Sequence, residues 1–386
     1  MAEPGGAVRI LIVDDSAVMR SLLRAVVMTD VRLEVTATAS NGEAGLRAME
    51  ASRPDLVLLD VEMPVMDGLS TLRAMRECGL RVPVIMCSTL TQRGAQVTIE
   101  ALASGAADYV AKPSGQPSRE AAVEALAHDL VPKILALTLR RTAATAAPRA
   151  MSAVLPPMAA PSSVANSGWA AAADSGAVPR MVVIGVSTGG PAALDMLLPA
   201  LPADFPAPVL VVQHMPELFT RLLAERLDSR CALHVVEAEE GMAVENGHVY
   251  VAKGNWHLEV HGDARLGRMR LHMTQAPPEN HCRPSADVLF RTAVECCGNA
   301  VLGVVLTGMG ADGLAGCRLI RARGGSVLAQ DQATSAVWGM PGAVTQAGLA
   351  QKVLPLQAIA GEVMQRVYRH GAEARGIEPV RQKWAV

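Results

Sequence analysis

Carboxylates follow two predicted strands near the start of the sequence. The apolar stretch 9–13 runs into Asp14 and Asp15, and the stretch 55–59 runs into Asp60. Because chemistry sits at the carboxyl ends of strands in open α/β sheets, we expect these three side chains to lie together. Converging carboxylates repel one another unless a cation neutralises them, and their hard oxygens suit Mg²⁺. The pattern predicts a metal site in which Asp60 is a nucleophile that accepts a phosphoryl group.

Two further strand ends add to this first site. Ser88 and Thr89 follow the fourth predicted strand, where a hydroxyl can donate to a phosphoryl oxygen. Lys112 follows the fifth strand, where its ammonium group can neutralise another phosphoryl oxygen. An isolated aspartate after a strand commonly does no more than cap a helix or turn, which is the alternative interpretation. The joint pattern at successive strand ends favours the phosphoacceptor site.

A serine, a histidine and an aspartate follow three strands of a second block. Ser187 lies in the Gly-rich turn after one apolar stretch, and His214 and Asp312 follow two later stretches. The Gly-x-Ser-x-Gly spacing matches a nucleophile elbow, a sharp turn that exposes a serine hydroxyl. His214 can take the serine proton while Asp312 orients the imidazole. Backbone N–H groups near Thr188 and Met309 are the candidates for holding an oxyanion.

Two other interpretations of the second site stay open. His281 lies in a loop beside an Arg-Pro-Ser sequence and is the alternative base. The Gly-rich turn around Ser187 also resembles a dinucleotide phosphate loop, although it lacks the strict G-x-G-x-x-G order. The chain order Ser–His–Asp differs from the Ser–Asp–His order of α/β-hydrolases, which disfavours that superfamily.

The composition of the chain argues against several classes of protein. The 386 residues carry a formal net charge of -2 and only 3% aromatic side chains, which argues against nucleic acid as the main partner. No apolar run reaches membrane-spanning length, and the N-terminus lacks a signal peptide's order, so we expect a cytoplasmic protein without direct membrane insertion. The odd count of 7 scattered cysteines indicates reduced thiols.

Helical and strand patterns alternate on both sides of an Ala-, Pro- and Ser-rich stretch. This organisation predicts a first domain at residues 1–137, a linker at 138–179 and a second domain at 180–375. The βα alternation predicts a doubly wound, mainly parallel sheet in each domain. The second domain is also expected to contain an antiparallel strand excursion, formed by residues 244–252, 256–261 and 269–273.

Residues 8–125 resemble a response-regulator receiver domain, which has a flavodoxin-like fold. The resemblance implies that Asp60 is the phosphorylation site and that Asp15 and the Glu62 carbonyl, beside Asp14, hold Mg²⁺. It further implies a switch hydroxyl at Ser88, next to Thr89, a phosphate contact from Lys112, and a phosphohistidine kinase as donor. The motifs that carry it are Val13-Asp14-Asp15-Ser16, Leu59-Asp60-Val61-Glu62-Met63-Pro64, Met66-Asp67-Gly68, Ser88-Thr89 and Lys112-Pro113.

Residues 180–370 resemble the catalytic domain of the CheB family of chemotaxis protein-glutamate methylesterases. The resemblance implies hydrolysis of glutamate methyl esters, and deamidation of certain glutamines, on the cytoplasmic part of chemoreceptors. It implies Ser187, His214 and Asp312 as the catalytic residues and no cofactor for the ester hydrolysis. The motifs that carry it include Gly185-Val186-Ser187-Thr188-Gly189-Gly190, Val212-Gln213-His214-Met215-Pro216, His281-Cys282-Arg283-Pro284-Ser285 and Leu306-Thr307-Gly308-Met309-Gly310-Ala311-Asp312-Gly313.

The two resemblances together imply autoinhibition, in which the first domain covers the active site until Asp60 is phosphorylated. Arg283 and the Met215-Pro216 loop are candidates for shaping the substrate cleft, and a structural salt bridge is the alternative role for Arg283. Two other functions stay open. One is a phosphorylation-controlled binding protein whose Ser187 loop holds a ligand without turnover, and the other is a hydrolase that acts on a different signalling protein.

Overall fold

Five parallel strands form the sheet of the N-terminal unit. The computed structural model describes residues 7–113, 116–145 and 177–368. The strands are β1 (Val8–Val13), β2 (Leu33–Ala39), β3 (Leu56–Asp60), β4 (Val84–Ser88) and β5 (Asp108–Ala111). The helices are α1 (Ala17–Val27), α2 (Gly42–Ser52), α3 (Gly68–Glu77), α4 (Gln92–Ala103) and α5 (Arg119–Thr145). The strand order is β2-β1-β3-β4-β5, which is the doubly wound flavodoxin-like order.

Capping side chains begin the first four helices. Ser16, Asn41, Asp67 and Thr91 each accept a hydrogen bond from the backbone N–H three residues later. Such caps satisfy N–H groups that have no partner within the helix. The alternation of buried strands with capped helices confirms the predicted α/β class.

Seven strands form the sheet of the C-terminal unit, and two more form a separate hairpin. The strands are β6 (Met181–Val186), β7 (Val209–Gln213), β8 (His234–Glu237), β9 (His248–Val251), β10 (His257–Asp263), β11 (Arg268–Thr274), β12 (Val301–Val305), β13 (Ser326–Gln330) and β14 (Lys352–Leu354). The helices are α6 (Gly190–Leu197), α7 (Glu217–Asp228), α8 (Ala286–Cys297), α9 (Leu314–Ala322), α10 (Met340–Gln346) and α11 (Leu356–Tyr368). The sheet order is β14-β13-β12-β6-β7-β9-β8.

The antiparallel prediction is right for one pair of strands and wrong for another. Strands β10 and β11 pair antiparallel, as predicted from residues 256–261 and 269–273. Strand β9, in the predicted stretch 244–252, pairs parallel with both β7 and β8. Its two faces are both covered, because Val249 and Val251 pack in one core cluster and Tyr250 in the other. Cover on both faces is typical of a strand inside a parallel sheet.

The last helix of the N-terminal unit runs into the stretch predicted as a linker. Helix α5 continues to Thr145, inside the stretch 138–179 that we predict as a linker. Alanine and leucine are strong helix formers, which explains how an Ala-rich stretch extends a helix. The remainder of the predicted linker, residues 146–176, lies outside the described residues.

The N-terminal unit packs against the C-terminal unit through its α4–β5–α5 side. Helix α4 contacts both α6 and α7. The rings of Tyr109, in β5, and Phe219, in α7, stack with their centroids 4.5 Å apart. This packing brings β5 close to the turn that follows β6. Within the described ranges, no helix has both the length and the apolar character that a membrane crossing requires.

Candidate active site and phosphoacceptor site

Ser187 lies in a tight turn between β6 and α6. The backbone N–H of Ser187 donates to the Thr307 carbonyl at 3.0 Å. Gly189 has φ of +78°, the left-handed region that favours glycine, and an added Cβ there would lie 2.6 Å from the Ala336 Cβ. An added Cβ at Gly190 would lie 1.9 Å from the Gln213 Oε1. The local geometry therefore requires the small residues of the predicted nucleophile elbow.

His214 and Asp312 are paired at the carboxyl edge of the sheet. The His214 Nε2 lies 2.8 Å from the Asp312 Oδ2. The other carboxylate oxygen, Oδ1, accepts from Ser285 Oγ at 2.7 Å and from Asn280 Nδ2 at 2.9 Å. The N–H of Ala286 donates to Oδ2 at 2.6 Å. A buried carboxylate held from several directions can fix the imidazole orientation and stabilise its charged form.

The pKa values of this pair are shifted in opposite directions. Burial alone raises the pKa of Asp312, but hydrogen bonds from His214, Ser285 and Ala286 outweigh it and hold that pKa at about 2. Burial alone lowers the pKa of His214, but Asp312 and then Cys282 outweigh it and raise that pKa to about 9. Asp312 therefore stabilises the imidazolium that forms when His214 accepts a proton, and only the uncharged ring can act as a base.

Cys282 is a neighbour of the active site that sequence reasoning missed. Its Sγ lies 3.7 Å from the His214 Nδ1, the ring nitrogen that does not contact Asp312. Ser187 and His214 line one cavity of about 480 Å³, together with Cys282 and the alternative base His281. Among the described residues, no hydrogen bond joins the Ser187 hydroxyl to His214. The sequence signals for Cys282 were its position directly after His281 and its place in the His281-Cys282-Arg283-Pro284-Ser285 motif.

The two predicted oxyanion residues line the same cavity. Thr188 and Met309 both contribute to its wall. Within the described part of the chain, neither backbone N–H makes a hydrogen bond, whereas the Ser187 N–H is already bound to a carbonyl. Free N–H groups beside a nucleophile have the character that an oxyanion hole requires. Their role stays a prediction.

Three further polar side chains hold the Ser187 turn in place. Gln213 Nε2 donates to the Ser187 carbonyl at 3.1 Å. Thr307 Oγ1 donates to the Thr188 carbonyl at 2.8 Å, and Thr307 N–H donates to Gln330 Oε1 at 2.8 Å. Gln213 and Gln330 end strands and Thr307 follows one closely, so the strand-end rule could have found all three. Sequence reasoning missed them because it applied that rule only to reactive side chains.

Arg283 stabilises the loop that carries Cys282. Its guanidinium donates to Asn255 Oδ1 at 2.7 Å and to the Gln275 carbonyl at 3.0 Å. Among the described residues it makes these hydrogen bonds and no ion pair, which gives the salt-bridge alternative no support, and it is not among the residues that line the cavity. Met215, from the other predicted cleft segment, does line the cavity.

The carboxylates of the first predicted site lie together. Asp14, Asp15 and Asp60 each place an oxygen within 4.8 Å of the others. Lys112 Nζ lies 2.7 Å from Asp60 Oδ1 and 2.9 Å from Asp14 Oδ2. Burial raises the pKa of Asp60 to about 6, although Lys112 acts in the opposite direction. Three oxygen donors and one balancing ammonium fit a hard cation such as Mg²⁺.

The remaining residues predicted for this site surround the carboxylates. Ser88 is buried at the end of β4 and donates to the Thr89 carbonyl at 3.2 Å. Thr89 Oγ1 lies 3.2 Å from Thr91 Oγ1, at the start of α4. The backbone N–H of Glu62 lies 3.4 Å from Asp60 Oδ1, and Glu62 and Asp15 line one surface cavity. Their contacts with metal and phosphate stay predictions.

Two of the aspartates also make the local turn contacts that the capping alternative predicts, Asp60 through the Glu62 N–H and Asp14 through the Ser16 N–H. Asp14 Oδ1 accepts from the Ser16 N–H at 2.9 Å, which is a local turn contact. The other oxygen of Asp14 faces Lys112. Asp14 therefore combines a turn role with membership of the carboxylate group.

The N-terminal unit reaches the wall of the Ser187 cavity. Thr188 Oγ1 donates to Asp108 Oδ2 at 2.5 Å, and both side chains are buried. His128, Asp129 and Lys133 from α5 line the cavity as well. The residue after the candidate nucleophile is thus hydrogen-bonded to the other unit.

Family models and known proteins match the two units and the whole chain. A model described as response regulator receiver domain matches residues 10–125, and one described as CheB methylesterase matches residues 182–363. A protein-glutamate methylesterase/protein-glutamine glutaminase of Nocardioides sp. is 50% identical over 368 residues, 94% of this chain and 96% of the relative. A protein of the same name from Trichodesmium erythraeum is 44% identical, over 93% of this chain and 99% of the relative.

Among solved structures, the chain matches the CheB methylesterase catalytic domain of Thermotoga maritima at 43% identity, over 48% of this chain and 98% of that one, with a TM-score of 0.47. The full-length relatives carry the conclusion, because they are similar across both units. They confirm both resemblances stated from the motifs. The chain therefore belongs to the CheB family of protein-glutamate methylesterases, in which a receiver domain precedes the catalytic domain.

Proposed function

We propose that this chain hydrolyses glutamate methyl esters on the cytoplasmic domains of chemoreceptors, with Ser187 as nucleophile and phosphorylation of Asp60 as the activating signal. It also deamidates certain receptor glutamines at the same site. The observation that carries the proposal is the His214–Asp312 pair, 2.8 Å apart, beside a cavity lined by Ser187 and by the receiver domain. The names of the full-length relatives support the reaction type.

The first half of the reaction forms an acyl-enzyme. Ser187 Oγ attacks the ester carbonyl carbon, and the serine proton passes to His214 Nδ1, the nitrogen that Asp312 leaves free. The carbonyl oxygen gains negative charge, which the N–H groups of Thr188 and Met309 stabilise. When the intermediate collapses, the bond from carbon to the methoxy oxygen breaks and His214 protonates the departing oxygen. Methanol leaves.

The second half returns the enzyme to its starting state. A water molecule gives a proton to His214 Nδ1 as its oxygen attacks the acyl carbon, and the bond to Ser187 Oγ then breaks. His214 returns the proton to the serine, and the product is a glutamate carboxylate. Deamidation follows the same steps with ammonia as the leaving group. Both reactions are acyl transfers to water, so one site serves both and needs no cofactor.

The receiver domain controls access to this chemistry. In the resting arrangement Asp108 holds Thr188, and α5 side chains line the cavity. Asp108 begins β5, a strand of four residues, and Lys112 follows its last residue. A change at the phosphoacceptor site therefore reaches the Thr188 contact through one short strand. Phosphorylation weakens this packing and opens the cavity to the receptor.

Asp60 accepts the phosphoryl group on its carboxylate oxygen and forms an acyl phosphate. Asp14, Asp15 and the Glu62 carbonyl are the residues that hold Mg²⁺, which neutralises phosphoryl charge when bound. Lys112 and Ser88 contact the phosphoryl oxygens. The proposed setting is the cytoplasm, with a phosphohistidine kinase as the donor.

The experiment is a methanol-release assay on methylated receptor cytoplasmic fragments. Wild type and Ser187→Ala are compared, each with and without a small acyl phosphate donor and Mg²⁺. We expect release that rises with the donor and vanishes in the variant. Asp60→Asn separates the two parts of the proposal, because it keeps the basal release and loses the response to donor. No release from wild type in either condition would overturn the proposed reaction.

A further inference from the structure

The thiol of Cys282 and the imidazole of His214 form a pair that the esterase mechanism does not use. The Cys282 Sγ lies 3.7 Å from the His214 Nδ1. One ligand atom from each of His214, Cys282 and Asp312 lies within 4.8 Å of the others. Thiolate and imidazole are soft and borderline ligands, typical of Zn²⁺ sites, whereas the Asp14, Asp15 and Asp60 group offers only hard oxygens.

The separation of the two ligand atoms fits a single bridging ion. Zn²⁺ binds sulfur at about 2.3 Å and imidazole nitrogen at about 2.0 Å, so a tetrahedral angle places the two atoms about 3.5 Å apart. The observed separation of Sγ and Nδ1 is 3.7 Å. An ion can therefore bind both atoms with little movement of either side chain.

Asp312 prepares His214 for metal binding by holding its other nitrogen. A metal-binding histidine commonly donates its remote N–H to a carboxylate, which fixes the tautomer and raises the basicity of the ligating nitrogen. The contact of 2.8 Å from His214 Nε2 to Asp312 Oδ2 supplies this support. Asp312 also accepts from Ser285 and Ala286, so it orients the histidine while its own position stays fixed.

The loop that carries Cys282 is held in shape before any ion binds. Glu279 and Cys282 exchange backbone hydrogen bonds of 3.1 and 2.9 Å. Asn280 and His281 between them adopt φ of +54° and +62°, which closes the turn. Arg283 then fixes the end of the loop through Asn255. Cys282 is thus presented to His214 by the fold of the loop, beside a cavity of about 480 Å³ with room for water ligands.

We propose that His214 and Cys282 form an inhibitory site for a divalent metal ion that prefers thiolate and imidazole ligands, such as Zn²⁺. Binding releases the Cys282 thiol proton to solvent, together with the His214 Nδ1 proton where the ring is charged. The ion forms one bond to the sulfur and one to His214 Nδ1, and its remaining positions are taken by water. The Nδ1 lone pair is the acceptor of the Ser187 proton in the proposed mechanism. While the ion is bound, that acceptor is occupied and ester hydrolysis stops.

The direct test is a titration of the full-length protein with Co²⁺, whose thiolate complexes give a sulfur-to-metal charge-transfer absorption. We expect this absorption in the wild type, its displacement by Zn²⁺, and its loss in Cys282→Ala. Ser187→Ala keeps the absorption, because the serine is not a ligand, and so does Cys296→Ala, which removes another partly buried thiol. Equal absorption in wild type and Cys282→Ala would overturn the proposal.

The second test measures inhibition of ester hydrolysis by Zn²⁺. Each variant is compared with its own metal-free rate, and a chelator is added afterwards. We expect the inhibiting Zn²⁺ concentration to rise at least tenfold in Cys282→Ala, and chelation to restore the wild-type rate. Equal sensitivity of the two proteins would overturn the inhibitory role. The Co²⁺ titration needs no turnover, so the metal site is tested even if the proposed esterase reaction fails.

Discussion

Asp108 of the receiver domain accepts a hydrogen bond of 2.5 Å from Thr188, the residue that follows Ser187 in the catalytic domain. Both side chains are buried, so water does not compete for this contact. A hydrogen bond to a charged group contributes about 1.5–3 kcal/mol, and ~1.4 kcal/mol changes a population ratio about tenfold. The bond therefore has the strength to bias the packing of the two domains.

The first prediction concerns the unphosphorylated enzyme. Asp108→Ala removes the acceptor of the Thr188 hydroxyl, and we expect the basal methanol-release rate to rise about tenfold, by the population ratio given above. The response to a phosphodonor shrinks by a similar factor, because part of the activation has already occurred. Asp30→Ala is the control, because the Asp30 carboxylate pairs with Arg32 beside β2, at the opposite edge of the receiver sheet from β5. An unchanged basal rate in a folded Asp108→Ala protein would contradict the autoinhibitory role of this bond.

Asp312→Asn tests the orienting role of the carboxylate. The variant keeps the shape of the side chain but removes the charge that stabilises the His214 imidazolium. By analogy with the aspartate of serine-hydrolase triads, we expect kcat to fall about 10³–10⁴-fold. Asp331→Asn is the matched control, since the Asp331 carboxylate accepts from Thr334 within its own turn. A fall of less than tenfold would contradict the assigned role.

The pKa of His214 predicts how stability depends on pH. The folded-state pKa is raised to about 9, above the ordinary value of about 6.5. The pairing therefore stabilises the fold fully below about pH 6.5, and that contribution is lost as the pH rises through about 9. Urea unfolding of wild type and His214→Gln measures it, and we expect the difference in the free energy of unfolding to shrink over this window. A constant difference would mean that His214 is neutral in the folded protein throughout.

Asp60 gives a second pH-dependent prediction. Its pKa is raised to about 6 by burial, so a proton competes with Mg²⁺ at this carboxylate as the pH falls through that value. Below about pH 6 we expect Mg²⁺ affinity to fall by up to tenfold per pH unit, measured by calorimetry. Asp67→Asn, which changes a nearby helix cap, leaves this dependence in place. An affinity independent of pH between about 4 and 7 would contradict it.

Gly190→Ala tests the turn that presents Ser187. The new Cβ would lie 1.9 Å from Gln213 Oε1, so Gln213 moves and its bond to the Ser187 carbonyl is lost. We expect kcat to fall at least tenfold and stability to fall by about 1–3 kcal/mol. Gly361→Ala is the control, because Gly361 is exposed in α11 with nothing within 4 Å of an added Cβ. That control keeps its activity and gains about 0.5–1 kcal/mol of stability.

The sequence predicted the strand ends well because each depends on a short local pattern. An apolar run followed by Asp60 or His214 is visible without knowledge of any neighbour. The pairing of β9 was not visible, since its direction depends on which strands flank it and what covers its two faces. Cys282 was missed for the same reason, because a loop far along the chain carries it to His214.

The contact between Asp108 and Thr188 lay beyond sequence reasoning as well. Asp108 begins a strand, so the strand-end rule excludes it from chemistry, and only the docking of the two domains gives it a partner. The resemblance to a family implied that the domains pack together, but not which atoms meet. Interdomain contacts depend on surface shape, which local patterns do not encode.

The stacked rings of Tyr109 and Phe219 have a consequence for the temperature dependence of signalling. Val337, from the catalytic domain, also packs in the core cluster of the receiver domain. Any separation of the two domains exposes these apolar surfaces to water and so carries a positive heat-capacity change. The free-energy difference between the closed and open forms therefore depends non-linearly on temperature. The interface between the two domains therefore makes activation depend on temperature as well as on phosphorylation of Asp60.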